Sequence, residues 1–332
     1  MLYLAVFMKI CATRTTVIAL FLALVLPTMA LDASFQRLLT AGRVDELIRA
    51  ADERILRSPR DTDSYLALGR AYLALRDWDK AVAALERAVT LTPQNSALHL
   101  WLGRAYGEKA AHVNFLSAIG WAKKSRSEFE RAVELDTTNV GARSDLAEFC
   151  IDAPGLIGGG IDKARKQIDV IQQQDAALGH FLRARIADKE NDRTRAEQEL
   201  NAAIAAGPDK ARYWVNLASF YERWGRYDDM TKAIASAVAG PRLRSDVLYY
   251  AAELLLRNKR DVRLAEDLLR QYLVNPTDEV PAFEAHYLLG TLLEGEHKVD
   301  EATREYLAAT TLASRHDKAK SALQRLQSTR AR

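Results

Sequence analysis

The sequence predicts an all-α fold in which pairs of antiparallel helices stack into a solenoid. Its composition, 48% hydrophobic and 27% charged with 8 Pro and 16 Gly, is typical of a helix-rich globular chain. Small residues recur with a period of 34, as the step from Gly69 to Gly103 and the step from Ala184 to Ala218 show. Apolar residues at helical spacing accompany them. A period of this length indicates stacked helical units that bury their apolar faces against their neighbours.

The first element in chain order is a targeting segment at residues 1–30. Lys9 and Arg14 precede an apolar run from Val17 to Leu26, and Ala30 provides a small residue at the exit. This is the pattern of a secretory signal peptide. The run is too short to span a bilayer, which takes about 20 residues. We therefore expect cleavage after Ala30 and a location in the bacterial periplasm or outside the cell.

Two alternatives to this interpretation stay open. Residues 1–7 are also apolar and would favour an uncleaved anchor, and Met8 is an alternative start. Cys11 precedes the apolar run, so it is misplaced for lipid attachment, and its removal leaves Cys150 as a single cysteine. A single cysteine forms no internal disulfide, so packing alone must stabilise the exported chain.

The charge balance argues against a nucleic-acid partner. The chain has 47 Lys and Arg against 44 Asp and Glu, and removal of residues 1–30 takes away two of the basic ones, which leaves 45 against 44. A nearly neutral chain has no long-range field that attracts polyphosphate. We expect no stable membrane anchor once the segment is cleaved.

Seven repeat units are predicted over residues 62–316, with insertions in the second and third. The positions that define the first unit are Tyr65, Leu68, Gly69, Tyr72, Ala81, Leu85, Ala88 and Pro93. This set resembles the tetratricopeptide repeat (TPR) family. The resemblance implies a right-handed superhelical solenoid in which each unit supplies a helix A and a helix B. Residues 31–61 then form an N-terminal partial repeat, and residues 317–332 form a capping helix and tail.

Candidate catalytic and metal-binding residues have better structural explanations. His99, His180 and His286 belong to the second, fourth and seventh units, too far apart to bind one zinc ion, so we interpret them as core residues. The loop at 155–160 lacks the strand and lysine spacing of a phosphate-binding loop, and Cys150 occupies a packed position. We expect no cofactor, no metal and no enzymatic activity. A superhelical envelope enzyme, such as a peptidoglycan lyase, would need a catalytic lobe for which no segment remains.

The resemblance places the fifth and ninth positions of helix A on a concave groove. The predicted groove residues are Leu66, Arg70, Leu100, Arg104, Phe181, Arg185, Tyr249 and Tyr287. An apolar stripe flanked by arginines suits an extended or helical peptide that carries acidic residues. Chaperone-binding members use asparagine at the ninth position, which is absent here, so that mode is not expected. The alternative is that the stripe is only half-buried packing.

The insertion in the second repeat suggests a further binding element. Phe115, Leu116 and Trp121 lie between Ala110 and Lys124, with more apolar surface than a helical turn requires. We expect them to form a lip beside the glycine loop, extending the groove; the alternative is that they cover their own helices. The predicted function is an exported protein–protein interaction scaffold that binds a peptide or protein segment. An envelope assembly or secretion accessory factor is the alternative.

Overall fold

The computed structural model describes residues 31–207, 210–239 and 245–330, and within them it contains 17 α-helices and no strand. The predicted all-α class is confirmed. The predicted signal peptide lies outside the described residues. The helices are α1 (Ala33–Thr40), α2 (Val44–Arg57), α3 (Thr62–Ala74), α4 (Trp78–Leu91), α5 (Ser96–His112), α6 (Phe115–Leu135), α7 (Val140–Asp152), α8 (Ile161–Gln174), α9 (Ala176–Lys189), α10 (Arg193–Ala206), α11 (Lys210–Arg223), α12 (Tyr227–Val238), α13 (Ser245–Arg257), α14 (Val262–Val274), α15 (Ala282–Gly295), α16 (Val299–Leu312) and α17 (Asp317–Arg330).

From α3 to α16 the helices follow one another as seven A–B pairs. The small residue at the eighth position of helix A lies against a large residue of helix B. A Cβ atom added to Gly103 would lie 2.6 Å from two ring carbons of Phe129, and one added to Gly290 would lie 2.7 Å from the ring of Tyr306. Glycine is needed at these crossings because any side chain would overlap its partner.

The turns between helix A and helix B repeat one backbone feature. Five of them place a residue with positive φ at the fifteenth position of the unit, and only one of the five is glycine. These residues are Arg76, Asn191, Gly225, Lys259 and His297. The second and third units, which carry the insertions, lack this turn. Left-handed backbone costs a non-glycine residue about 1 kcal/mol, so packing of the helix pairs holds four of these turns against local preference.

Short polar residues begin several of the helices. The Asp61 side chain accepts a hydrogen bond from the backbone N–H of Ser64 at 3.0 Å, and Asn139 accepts one from Ala142 at 3.0 Å. Asp77, Asn95 and Asn114 cap α4, α5 and α6 in the same way. These caps satisfy helix donors that have no partner within the helix.

The chain divides into two compact units, each of which contains several repeats and has its own buried core. They are called unit 1 and unit 2 and are distinct from the numbered repeats. Of the described residues, unit 1 comprises 31–33, Ile48–Asp175 and Arg185–Asn191, and unit 2 comprises Ser34–Leu47, Ala176–Ala184 and those from Asp192 onward. Leu85 and Ile171 are fully buried in unit 1, as are Tyr272 and Phe283 in unit 2.

The N-terminal segment 34–47 packs within unit 2 against residues far along the sequence. The Gln36 side-chain amide donates a hydrogen bond to Asp278 at 2.9 Å, and the Ser314 backbone N–H donates one to Asp45 at 2.7 Å. Gly42, at φ 68°, lies so close to Ala282 that a Cβ atom would come within 2.8 Å of its backbone nitrogen. The period of the repeats gave no indication of this packing.

Candidate functional site

A tryptophan lies between two predicted groove arginines in unit 1. The guanidinium carbon of Arg70 is 4.5 Å from the centroid of the Trp101 ring, and that of Arg104 is 4.7 Å away. Arg70 holds the ninth position of the first repeat and Trp101 the sixth position of the second, and the stacking of successive helices A brings these two positions together. Trp101 is only partly buried. A partly buried ring between two cations is an aromatic surface whose position is fixed before a partner binds.

The same face continues through ion pairs along α7 and α9. Arg104 Nε lies 2.5 Å from Asp145 Oδ2, and both side chains are almost completely buried. Arg185 pairs with Glu148 and, at 2.7 Å, with Asp152. We call this set of side chains the helix-A row, and it consists of Arg70, Trp101, Arg104, Asp145, Glu148, Asp152 and Arg185.

Two members of the helix-A row, Glu148 and Arg185, have shifted pKa values. Burial raises the pKa of Glu148 to about 7; Arg185 opposes this shift, and Asp145 and Asp152 add to it. Burial also disfavours the charge on Arg185, but Asp152 and Glu148 outweigh that effect and raise its pKa. The arginine therefore stays charged, whereas Glu148 titrates near neutrality.

The apolar members of the predicted groove are less available than the sequence suggested. Leu66, Leu100 and Phe181 are 5%, 8% and 1% exposed, so these three side chains belong to the core and do not form an open stripe. These three side chains fit the alternative interpretation, in which the stripe is only packing. Tyr249 and Tyr287, both in unit 2, are partly exposed. Partner binding by Arg70, Arg104, Arg185 and the two tyrosines stays a prediction.

The histidines at the fourth position each lie beside a glutamate of helix B. The distance from Nδ1 to a carboxylate oxygen is 2.5 Å for His99 with Glu128, 2.7 Å for His180 with Glu199 and 2.6 Å for His286 with Glu305. In the third unit, Arg143 donates to Gln167 at 2.9 Å between the same two positions. The hydrogen bond to Glu128 raises the pKa of His99, while burial opposes it. In each of these four repeats, a polar residue at position 4 faces a polar residue at position 23, counted without the insertions. This pairing of polar positions is the sequence signal that would have predicted the contacts.

The other candidates for chemistry are structural. Cys150 is 4% exposed, as predicted, and burial raises the pKa of its thiol. The glycine loop closes on itself, since the Gly160 N–H donates to the Cys150 carbonyl at 2.8 Å and Lys163 donates to the Gly158 carbonyl at 3.0 Å. In the described part of the chain, no three His, Cys, Asp or Glu side chains converge in a metal-binding arrangement. No described helix combines the length and apolar character needed to span a bilayer.

The predicted lip divides into a packed part and an exposed part. The Trp121 ring has Lys109 Nζ at 3.8 Å and Lys124 Nζ at 4.5 Å from its centroid, and Tyr106 packs beside it. Trp121 therefore packs against side chains of its own repeat, although it is partly exposed. Leu116 is 81% exposed and Phe115 is partly exposed.

The glycine loop meets the insertion of the second repeat. A Cβ atom on Gly158, whose φ is 100°, would overlap the Arg126 guanidinium group of α6. The two insertions are therefore neighbours within unit 1. Whether Phe115, Leu116 and Trp121 bind a partner stays a prediction.

In the described part of the chain, seven successive antiparallel helix pairs with recurring residues at equivalent positions define a helical-hairpin repeat protein. Comparison with known proteins identifies the repeat. Two tetratricopeptide repeat family models match the chain, one over residues 62–105 and the other over residues 181–238. Residues 62–105 and 181–238 are therefore tetratricopeptide repeats, as the resemblance to that family predicted.

Three known proteins illustrate what this chain is similar to. Superkiller complex protein 3 of Mus musculus is 22% identical over 292 residues, which cover 76% of this chain and 18% of that protein. A TPR protein of Parabacteroides merdae is 14% identical, with a TM-score of 0.41 over 86% of this chain and 99% of the other. A thermophilic TPR protein of Thermus thermophilus is 22% identical, with a TM-score of 0.44 over 59% of this chain and 99% of the other. The chain thus spans under a fifth of the length of the mouse relative.

Proposed function

We propose that this protein is an interaction scaffold that binds an extended segment of a partner protein along the helix-A row. TPR folds are typical of protein–protein interaction scaffolds, which supports the general class. The observation that carries the proposal is the partly exposed Trp101 between Arg70 and Arg104. Aromatic and arginine side chains dominate the energy of protein interfaces because they combine large contact area with directional polar groups.

The charges along the row suggest how the partner is oriented. Arg70 and Arg104 lie at the Trp101 end of the row, while Glu148 and Asp152 lie at the other end, where both pair with Arg185. A bound segment would place an acidic or carboxy-terminal group near Trp101, where guanidinium groups form charge-assisted hydrogen bonds. Arg104 and Arg185 already have internal carboxylate partners, so long-range attraction contributes little and the aromatic contact supplies most of the affinity.

Selection of peptides from a random display library tests this mode. Peptides selected on the wild-type protein should lose affinity tenfold or more for Trp101→Ala, since removal of an aromatic anchor at a binding site costs about 2 kcal/mol. Tyr227→Ala is the matched control, because Tyr227 is a 41% exposed aromatic residue of unit 2 outside the row. Selected peptides that bind Trp101→Ala and the wild type equally well would refute the proposal, provided that both proteins melt at the same temperature.

We further propose that the chain is exported and cleaved near Ala30, with the periplasm as its location. The support is the sequence pattern of residues 1–30, together with the packed residues that follow it: Leu31 is buried, and Asp32 pairs with Arg54 at 2.9 Å. Mass spectrometry of protein recovered from the cell envelope should give the mass of a chain that starts at Leu31. A full-length mass, or recovery from the cytoplasm, would contradict export.

A further inference from the structure

The second repeat projects a hairpin beyond the ordinary turn. Its helices α5 and α6 have 17 and 21 residues, against 13 and 14 for α3 and α4 in the first repeat. At about 1.5 Å per residue, the extra turns lengthen the two helices by roughly 6 Å and 10 Å. We call residues 109–127, where these extensions meet, the hairpin tip.

The outermost part of the hairpin tip carries one exposed and three partly exposed apolar side chains, together with the exposed polar residues Asn114 and Ser117. Leu116 is 81% exposed at the start of α6, and Val113, Phe115 and Ile119 around it are partly exposed. These side chains differ from Trp121, which packs under Lys109 and Lys124. A soluble protein seldom presents such a cluster at a protruding point unless the cluster has a partner.

The charge of the hairpin tip has a single sign. Residues 109–127 include Lys109, Lys123, Lys124 and Arg126 and contain no Asp or Glu. Lys109 pairs with Asp79 at 2.7 Å and Arg126 with Glu130 at 3.5 Å, whereas Lys123 and Lys124 are exposed. They follow Phe115 by eight and nine residues, which places them about 12–14 Å along the helix from the apolar end.

We propose that the hairpin tip docks on the surface of an anionic lipid bilayer, at a site separate from the helix-A row. Apolar side chains at an interface enter the boundary between headgroups and acyl chains to a depth of about 5–10 Å. With Leu116 and its neighbours at that depth, Lys123 and Lys124 reach the lipid phosphates. A second copy of the chain is the poorer occupant, because two tips of the same positive sign repel one another.

A fluorescent label at the tip tests this docking in the full chain. An environment-sensitive dye is attached to Leu116→Cys in a Cys11→Ser background, because Cys150 is buried and does not react. Vesicles containing phosphatidylglycerol should shift the emission to the blue and allow quenching by lipid-borne spin labels. Pure phosphatidylcholine vesicles should cause a much smaller change. The same dye at Val274→Cys, an 85% exposed site of unit 2, should not respond.

Second substitutions in the labelled chain test the two parts of the tip. Lys123→Gln should raise the lipid concentration at half-shift about fivefold, since each basic residue near an anionic surface contributes about 1 kcal/mol. Lys232→Gln, the loss of a 79% exposed lysine in unit 2, should leave it unchanged. Phe115→Ser should raise it about tenfold because apolar insertion is lost.

Four outcomes would overturn the proposal. They are the absence of any shift at position 116 with anionic vesicles, an equal shift with pure phosphatidylcholine, an equal shift produced by soluble poly-glutamate, and a shift that depends on protein concentration without lipid. The third would indicate an acidic protein as the occupant, and the fourth a second copy.

Discussion

The crossing of α5 and α6 gives the sharpest test of the repeat register. In Gly103→Ala, the new Cβ atom would lie 2.6 Å from two carbons of the Phe129 ring and 3.3 Å from the Cβ of Glu128. Ordinary carbon–carbon contacts lie at about 3.5–4.0 Å, so the ring must move by about 1 Å. Phe129 is 6% exposed, so α6 itself must shift to make room.

The free energy of unfolding reflects two opposing effects of this substitution. Alanine favours the helix over glycine by about 1 kcal/mol. Overpacking of a filled core costs about 1–3 kcal/mol, and the backbone shift required here places Gly103→Ala in the upper part of that range. We therefore expect a net destabilisation of about 1–2 kcal/mol.

Gly120→Ala is the matched control, because Gly120 also lies in a helix of the same repeat and a Cβ atom there would have nothing within 4 Å. It should be stabilised by about 1 kcal/mol from helix propensity alone. Urea unfolding at 25 °C measures both variants, and thermal melts of Gly103→Leu extend the series with a larger loss. A Gly103→Ala protein as stable as Gly120→Ala would mean that the eighth position is not a helix crossing.

Further predictions concern pH, turns and activity. The pair of His99 with Glu128 contributes its full stabilisation below pH 6.5, the ordinary pKa of histidine. This contribution is lost as pH rises through the raised pKa of His99. Glu128→Gln should therefore flatten the fall of stability with pH in denaturation profiles. Glu148 adds a fall in stability between its ordinary pKa of 4.5 and about 7, since ionisation of a buried acid with a raised pKa opposes folding; Glu148→Gln should remove this fall. Arg76→Gly should stabilise the protein against urea by about 1 kcal/mol because it relieves a left-handed residue at φ 59°. The purified protein should not turn over peptidoglycan, peptide or nucleotide substrates; turnover that is abolished by Cys150→Ala would contradict this.

The parts of the fold that the sequence predicted are those fixed by local requirements. Gly69, Gly103 and Gly290 are small because a helix of the same unit crosses there, and the partner is always 16 residues further on or at an insertion-shifted equivalent. Such a requirement repeats with the period of the unit, so one sequence contains several copies of it. This is why the helix pairs and the all-α class could be predicted.

The features that could not be predicted depend on contacts between different repeats. Hydrophobicity does not distinguish a core residue from a groove residue, so Leu66 and Leu100 seemed equally suited to both roles. Arginine at the ninth position looked available for a ligand, but Asp145 of the following helix A neutralises Arg104, and Glu148 of the preceding helix A neutralises Arg185. Only the three-dimensional stacking reveals those partners.

The packing of residues 34–47 within unit 2 also constrains the order in which the chain matures. Unit 2 contains no residue between Leu47 and Ala176, and the Asp278 carboxylate that receives the Gln36 amide is 242 positions away. At about 5–20 residues per second, a ribosome needs roughly 10–50 s to make that intervening chain. Throughout that interval Phe35 and Leu39, each 2% exposed in the finished fold, lack the unit that buries them. The first described helix to be synthesised is thus among the last to reach its native surroundings.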